Sequence, residues 1–344
     1  MPELNREYPE LDDLEVFQRM VELTEAQMEP ICGHLRRGQH AKATGCVRAT
    51  FRIAANIPSN LQHGVFRERG RSFDAIVRFS NSQGTFEPDG TGTARGLAIK
   101  LLDVDGARAI PDDGDTTQDF LMVDHPVFPF PDPKSYVETI SRKNIPLVGN
   151  LAALAHLALL EPKELRILKD IKGKHVASPL RITYWSGAPF WLGPASGTGG
   201  HAVKYSAVPR ENGSAVPAPP EDRPPDYLSQ ALSRELKKQE AVFDFKVQLQ
   251  TDAEKMPVED VSIEWDENVS SPIAVATLHI AQQRVDGSST LAVDASSALA
   301  AQAESMSFNP WHALAEHRPM GGMNRLRRKV YQASVAKRAT GCPI

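Results

Sequence analysis

Cys46-Val47-Arg48-Ala49-Thr50-Phe51-Arg52-Ile53 is the stretch that decides the fold. Val47, Ala49, Phe51 and Ile53 alternate with Cys46, Arg48, Thr50 and Arg52. Successive side chains of an extended chain leave on opposite sides, so the octet reads as a half-buried strand. Outward from it, strand-like runs recur at 74–80, 95–102, 118–123, 180–186, 202–207, 242–250 and 273–280. Eight short strands predict an antiparallel barrel or sandwich, and we expect the barrel. Helical spacing takes over at 14–31, where Leu14, Phe17, Met20, Val21 and Leu23 share a face. It returns at 134–171, whose Ala/Leu-rich run Leu151–Leu160 ends before Pro162, and at 226–240. Residues 208–225 hold six prolines, yet strand-like sequence resumes on both sides, which makes them a surface excursion and not a domain boundary. The expected fold class is α+β, an eight-stranded antiparallel β-barrel with surrounding and C-terminal helices, as one domain over 1–344.

With 344 residues, 41% of them hydrophobic and 24% charged, the chain can bury a sizeable core. A net charge of −4 argues against nucleic acid as a partner, because phosphate binding needs a basic surface. Cys32, Cys46 and Cys342 are odd in number and form no CxxC pair, so neither a disulfide framework nor a thiolate metal site is suggested. No run approaches about 18 apolar residues and the first residues lack an apolar leader, so we expect no integral membrane segment and a cytoplasmic setting. The glycines at 84, 90 and 92 lack a phosphate-binding pattern and read as turns. His312, Glu316 and His317 miss the HExxH spacing of a zinc helix, and no GxSxG elbow supports a serine nucleophile.

Near the carboxyl end lies Arg325-Leu326-Arg327-Arg328-Lys329-Val330-Tyr331, continuing to Arg338. As a helix it sets Arg327 and Tyr331 one turn apart and Arg338 two turns beyond Tyr331 on the same stripe. A phenol titrates near pH ~10, and fixed cations beside it favour the phenolate, one of the protein ligands of haem iron. The plainer reading of such a segment is a solvated basic face. In the first third, Arg78 and Ser80 share one face of a strand while Val77 and Phe79 share the other. Facing a barrel interior, Arg78 would need a partner, and a ligand carboxylate would supply it.

His40-Ala41-Lys42, Val77-Arg78-Phe79-Ser80, Arg95-Gly96-Leu97-Ala98-Ile99-Lys100, Phe120 with Phe128, and Arg327-x-x-x-Tyr331 occur in the order and approximate spacing of the haem catalases. The sequence resembles that family over 35–135 and 300–340. Tyr184-Trp185-Ser186 and Phe308-Asn309-Pro310-Trp311 are similar to the small catalase-related haem proteins, which lack the flavodoxin-like and NADPH-binding portions. The resemblance implies haem b, with Tyr331 as the proximal iron ligand and Arg327 bonded to its phenolate. It implies His40 as distal acid/base with Ser80 fixing its tautomer, Arg37, Arg78 and Arg338 as propionate anchors, and Phe120 and Phe128 in the distal pocket.

Two departures shape the expected activity. Where catalases carry a distal asparagine, this chain has Asp115 or Thr116, with Gln118 nearby. Gln39 precedes His40 where catalases have a small apolar residue and the related allene oxide synthases a hydroxyl that restrains the histidine. Both favour a haem peroxidase that uses hydrogen peroxide or an organic hydroperoxide with a reducing substrate over hydrogen peroxide dismutation. The alternatives are a fatty-acid hydroperoxide isomerase or lyase and a non-enzymatic haem carrier or sensor. A homodimer is the expected assembly.

Overall fold

The computed structural model describes residues 2–28, 30–31, 34–35, 37–111, 116–143, 149–211, 218–285 and 298–340. After α1 (Asp13–Gln27) a minimal ladder pairs β1 (Pro30–Ile31) with β2 (His34–Leu35). The main sheet then collects β3 (Ala43–Ile53), β4 (Ser72–Asn81), β5 (Arg95–Leu101), β6 (Gln118–Val123), β7 (Tyr184–Trp185), β8 (Phe190–Leu192), β9 (His201–Pro209), β10 (Ala241–Leu249) and β11 (Ile273–Ile280). Its order β10-β11-β3-β4-β5-β6-β7-β9, with β9 returning to β10, closes an eight-stranded antiparallel barrel from which β8 branches. Closure gives each of the eight a strand neighbour on both sides, although β6 meets β7 through the single pair Val123 and Trp185.

The alternation of β3 behaves as expected: Val47, Ala49, Phe51 and Ile53 fall inside the barrel. There Phe51, Phe66, Phe120, Tyr205 and Phe245 interlock, with ring centroids 4.7 Å apart for Phe120–Phe245 and 5.9 Å for Phe51–Phe120. The interior is therefore a dry aromatic core and not a ligand chamber. This answers one open question and corrects one expectation. Val77 and Phe79 take the inner face of β4 and put Arg78 and Ser80 on the outer one, so the Arg78 wall looks away from the barrel interior. Phe120 likewise points inward, and its neighbour Leu121 carries the outward position on β6.

The outer face of β3–β6 is covered by α6 (Ala298–Ser305) and the C-terminal α7 (Gly322–Thr340), with Cys46, Ile76, Leu121, Ala303 and Phe308 packed together beneath them. Helix α7 also packs on α1 and α2 (Pro133–Lys143) through Phe17, Met20, Val137, Met323, Leu326 and Val330. The long helical stretch expected at 134–171 is three helices: α2, α3 (Gly149–Leu160) and α4 (Pro162–Gly173). Pro162 opens α4, where its missing N–H would have had no partner. Helix α1 stops at Gln27, and Pro30 starts β1 instead of a further turn. The strand expected at 180–186 contracts to β7, because Pro179–Arg181 forms a 3-10 turn in which the Ser178 hydroxyl accepts from Leu180 N at 3.2 Å. After the proline-rich excursion, whose residues 212–217 lie outside the described residues, the chain is tied back where Asp89 N donates to Pro225 O at 2.8 Å. Helix α5 (Tyr227–Leu236) follows.

Candidate active site

Between the outer face of β4–β6 and the stripe of α7 lies a cavity with about 1250 Å³ of empty space, part of it open to solvent. His40, Arg37, Arg78, Ser80, Phe128, Arg327, Tyr331 and Arg338 all line it. Only Phe120 among the expected site residues does not. Tyr331 comes from α7, Arg78 and Ser80 from β4, and Arg37 and His40 from the segment entering β3, so barrel closure and helix docking are both needed to assemble the set.

His40 is held in an unusual conformation. Its φ is 55°, in the left-handed region that a side chain with a Cβ rarely enters. Its N donates to Ser82 O at 3.3 Å and its O accepts from Arg78 Nη2 at 3.0 Å, which fixes the peptide on both sides. Its ring Nδ1 lies 2.9 Å from Ser80 Oγ. Beneath this pair is Gly96 on β5, opposite Ser80 in the strand register. A Cβ at Gly96 would lie 2.6 Å from both His40 Nδ1 and Ser80 Oγ, so the ring can sit on the sheet only over a glycine. Burial, then Arg78, Arg327 and Arg37, push the imidazole pKa down to about 3, which keeps it neutral across the physiological range.

One edge of the cavity is a cluster of guanidiniums gathered around Glu304 of α6. Arg78 Nε donates to Glu304 Oε1 at 3.0 Å, and Arg37 Nε stands 3.5 Å from Oε2. Arg338 Nη1 donates to the Glu304 carbonyl at 3.0 Å. Arg37 Nη2 reaches the carbonyls of Ala303 and Met306 at 2.6 and 2.9 Å. The Nε atoms of Arg37 and Arg338 are buried and make no hydrogen bond among the described residues. Burial is the main cause that lowers the Arg37 pKa to about 10, only partly countered by Glu304. One side-chain carboxylate against three guanidiniums leaves a cationic edge with unused donors, suited to a ligand carrying two carboxylates. The remaining wall is apolar, formed by Leu97, Leu121, Met122, Phe128, Leu326 and Val330 among others. An iron porphyrin has this composition, a flat apolar macrocycle with two carboxylates at one edge, and the residues present fit it.

Arg327 differs from expectation in one respect. Its Nη1 donates to Asn324 Oδ1 at 3.0 Å and its Cζ lies 5.8 Å from the centroid of the Tyr331 ring. It accompanies the phenol as a cation beside the ring, not as a donor to the oxygen. Gln118 is also directed elsewhere: its Oε1 accepts from Leu314 N at 2.9 Å. Thr116 is exposed and Asp115 lies outside the described residues. Gln39 is the only carboxamide on the cavity wall among the described residues. His317, one of the histidines weighed for zinc, is a barrel-core residue whose Nε2 accepts from Val65 N at 3.0 Å and whose Nδ1 meets Tyr205 Oη at 3.0 Å.

Several residues of the site were not picked out as functional in the sequence. Glu304 gave no signal, being an acid in an Ala-rich helix. Gly96 stood inside a quoted motif, but only its three-dimensional neighbours explain it. Tyr136 of α2 is a second phenol on the cavity wall, packed edge-on against Phe128 with centroids 5.1 Å apart. Burial, reinforced by Tyr331, raises its pKa to about 12 and keeps it a neutral donor.

No protein-family profile matches the chain, and no curated protein sequence is similar to it. Solved structures are similar in fold. A bacterial catalase superposes with a TM-score of 0.67 at 16% identity, over 97% of this chain and 62% of the catalase. A fungal catalase gives 0.68 at 17%, over 99% and 66%. Catalase A from Saccharomyces cerevisiae gives 0.65 at 16%, over 98% and 66%. The chain has the catalase fold and spans less than two thirds of the length of these catalases.

Proposed function

We propose that the protein is a haem-dependent peroxidase that cleaves hydrogen peroxide or organic hydroperoxides. The observation that carries the reading is the meeting of His40 and Tyr331, from opposite ends of the chain, on one cavity edged by three guanidiniums. Tyr331 would supply the oxygen donor to iron, with the Arg327 cation favouring its ionised form. Arg37, Arg78 and Arg338 would hold the propionates. When bound, haem supplies a redox-active iron that accepts oxygen from a hydroperoxide.

The chain's own contribution is proton handling and orientation. With Nδ1–H donated to Ser80 Oγ, His40 Nε2 carries the lone pair and can take the proton of a hydroperoxide. An imidazole held near pKa 3 keeps that proton only weakly, so it is passed on to the outer oxygen, which leaves as water or an alcohol. The apolar wall excludes competing water. A carrier or sensor has no use for a histidine held at positive φ over a glycine, and the enzymatic reading is preferred for that reason.

Gln39 on the wall and the apolar lining favour a second reading, a fatty-acid hydroperoxide isomerase or lyase, in which Gln39 restrains His40. The test is a haem spectrum with product analysis on reconstituted protein. Dye oxidation supports the peroxidase, an allene oxide or aldehyde from a lipid hydroperoxide supports the isomerase or lyase, and vigorous oxygen evolution from hydrogen peroxide contradicts both. Tyr331→Phe should remove or alter the haem spectrum, whereas His40→Ala should keep the haem and abolish peroxide cleavage. Full activity in His40→Ala would overturn the assignment.

A further inference from the structure

Helix α3 reads Gly149-Asn150-Leu151-Ala152-Ala153-Leu154-Ala155-His156-Leu157-Ala158-Leu159-Leu160 and contains no charged residue. An apolar helix of this kind belongs in a core or against some other apolar phase. Its described side chains pack on one face. Ala153 and Leu157, one turn apart, are buried between α2 and α4, while Leu154, Ala155, Ala158 and Leu159 on the opposite side are exposed. Leu154 is 51% and Leu159 81% exposed, and they lie about 140° apart around the helix with the exposed Ala155 and Ala158 between them, an apolar outward half.

The two helices that flank α3 carry exposed cations. Lys143 ends α2, and Arg166, Lys169 and Lys172 are exposed on α4. Residues 134–174 hold eight Lys or Arg against four Asp or Glu, a net of +4 in a chain whose total is −4. The acids here are Glu138, which pairs with Arg142 at 3.3 Å, the buried Glu164, the partly exposed Glu161 and the exposed Asp170. A second copy docked by two-fold symmetry would set this basic rim against itself, which disfavours self-association. An anionic bilayer presents the complement: acyl chains for the leucines and phosphate and carboxylate head groups for the rim. No helix among the described residues is long and apolar enough to cross a membrane, so any attachment by α3 is to one face.

We propose that α3 and its basic rim dock the protein on the surface of an anionic lipid bilayer. The inference stands on the surface alone and does not depend on the haem reading. Helix α2, on which α3 packs, supplies Tyr136 to the cavity wall, so docking brings the bilayer within one helix layer of the site.

The test is co-flotation of the full chain with vesicles of phosphatidylcholine, with and without phosphatidylserine. The expected result is binding to the phosphatidylserine vesicles, falling as salt rises, and at least about tenfold weaker in Leu154→Glu/Leu159→Glu because two apolar anchors are lost. Both positions are exposed, so the variant should keep its melting temperature, and a second variant, Lys169→Glu/Lys172→Glu, tests the rim independently. Equal binding by wild type and both variants, no binding to anionic vesicles, or a dimer in solution that the leucine variant dissolves would each overturn the proposal.

Discussion

Replacing Gly96 by alanine tests the architecture of the site without reference to any ligand. The added methyl would stand 2.6 Å from His40 Nδ1 and 2.6 Å from Ser80 Oγ, where about 3.5 Å is comfortable, so both must retreat by about 0.9 Å. The Ser80 hydroxyl can clear the methyl by turning about χ1 while its strand stays paired on both sides, but the imidazole can clear it only by turning the whole ring. His40 cannot follow as a whole, because its peptide is held by Ser82 and Arg78 at positive φ. Its ring must rotate off its rotamer, costing about 1 kcal/mol, and leave Ser80, costing about 1 kcal/mol more. The sum, about 2 kcal/mol, lowers the melting temperature by about 3 °C in a chain of this size. A ring displaced by about 1 Å should also cost about a hundredfold in peroxide turnover. Thermal melts and single-turnover kinetics would read both effects. The decisive control is the same change in a His40→Ala/Ser80→Ala background, where the colliding atoms are gone and Gly96→Ala should cost less than about 0.5 kcal/mol. An unchanged melt and unchanged turnover in Gly96→Ala, or an equal penalty in the control background, would refute the reasoning.

Glu304→Gln should move stability and ligand affinity in opposite directions. Losing the carboxylate shared by Arg37 and Arg78 should cost the ligand-free protein about 2 kcal/mol, less than a fully buried pair because Glu304 is 27% exposed. The cluster becomes more cationic, so haem should dissociate more slowly, as read by transfer to an apoprotein scavenger. The buried His317 predicts acid sensitivity. Burial lowers its folded pKa to about 3 from 6.5, so the unfolded chain binds more protons between those values. Its contribution is complete above pH 6.5 and is lost as pH falls toward 3, amounting to about 2 kcal/mol at pH 5. Urea midpoints at pH 7.5 and 5 check this, and His40 acts in the same direction. Phe120→Leu should lower stability by about 1 kcal/mol and leave the haem spectrum unchanged, because the ring belongs to the barrel core. A shifted spectrum in the folded variant would contradict that placement.

The sequence by itself determined the strands of the barrel and picked out many of the residues that line the cavity. Period-two alternation is local, and in β3, β4 and β6 it states which residues share a face. The resemblance likewise reached His40, Arg78, Tyr331 and Arg338, because each is tied to a short motif. What it could not state is which face looks inward: Phe120 and Arg78 were both assigned to a pocket, and closure of the sheet left Arg78 on the cavity beneath α7 but sent Phe120 into the core. The direction of Arg327 toward Asn324, the carboxylate of Glu304 among three arginines, and the need for Gly96 under an imidazole were decided by the tertiary structure alone. The Glu304 and Gly96 contacts join segments far apart in the chain, and nothing in a local pattern encodes the distance between them; Arg327 and Asn324 are one turn apart on α7, and packing chooses which neighbour the guanidinium takes. Alternation fixes the sides of a strand; packing chooses which side becomes the interior.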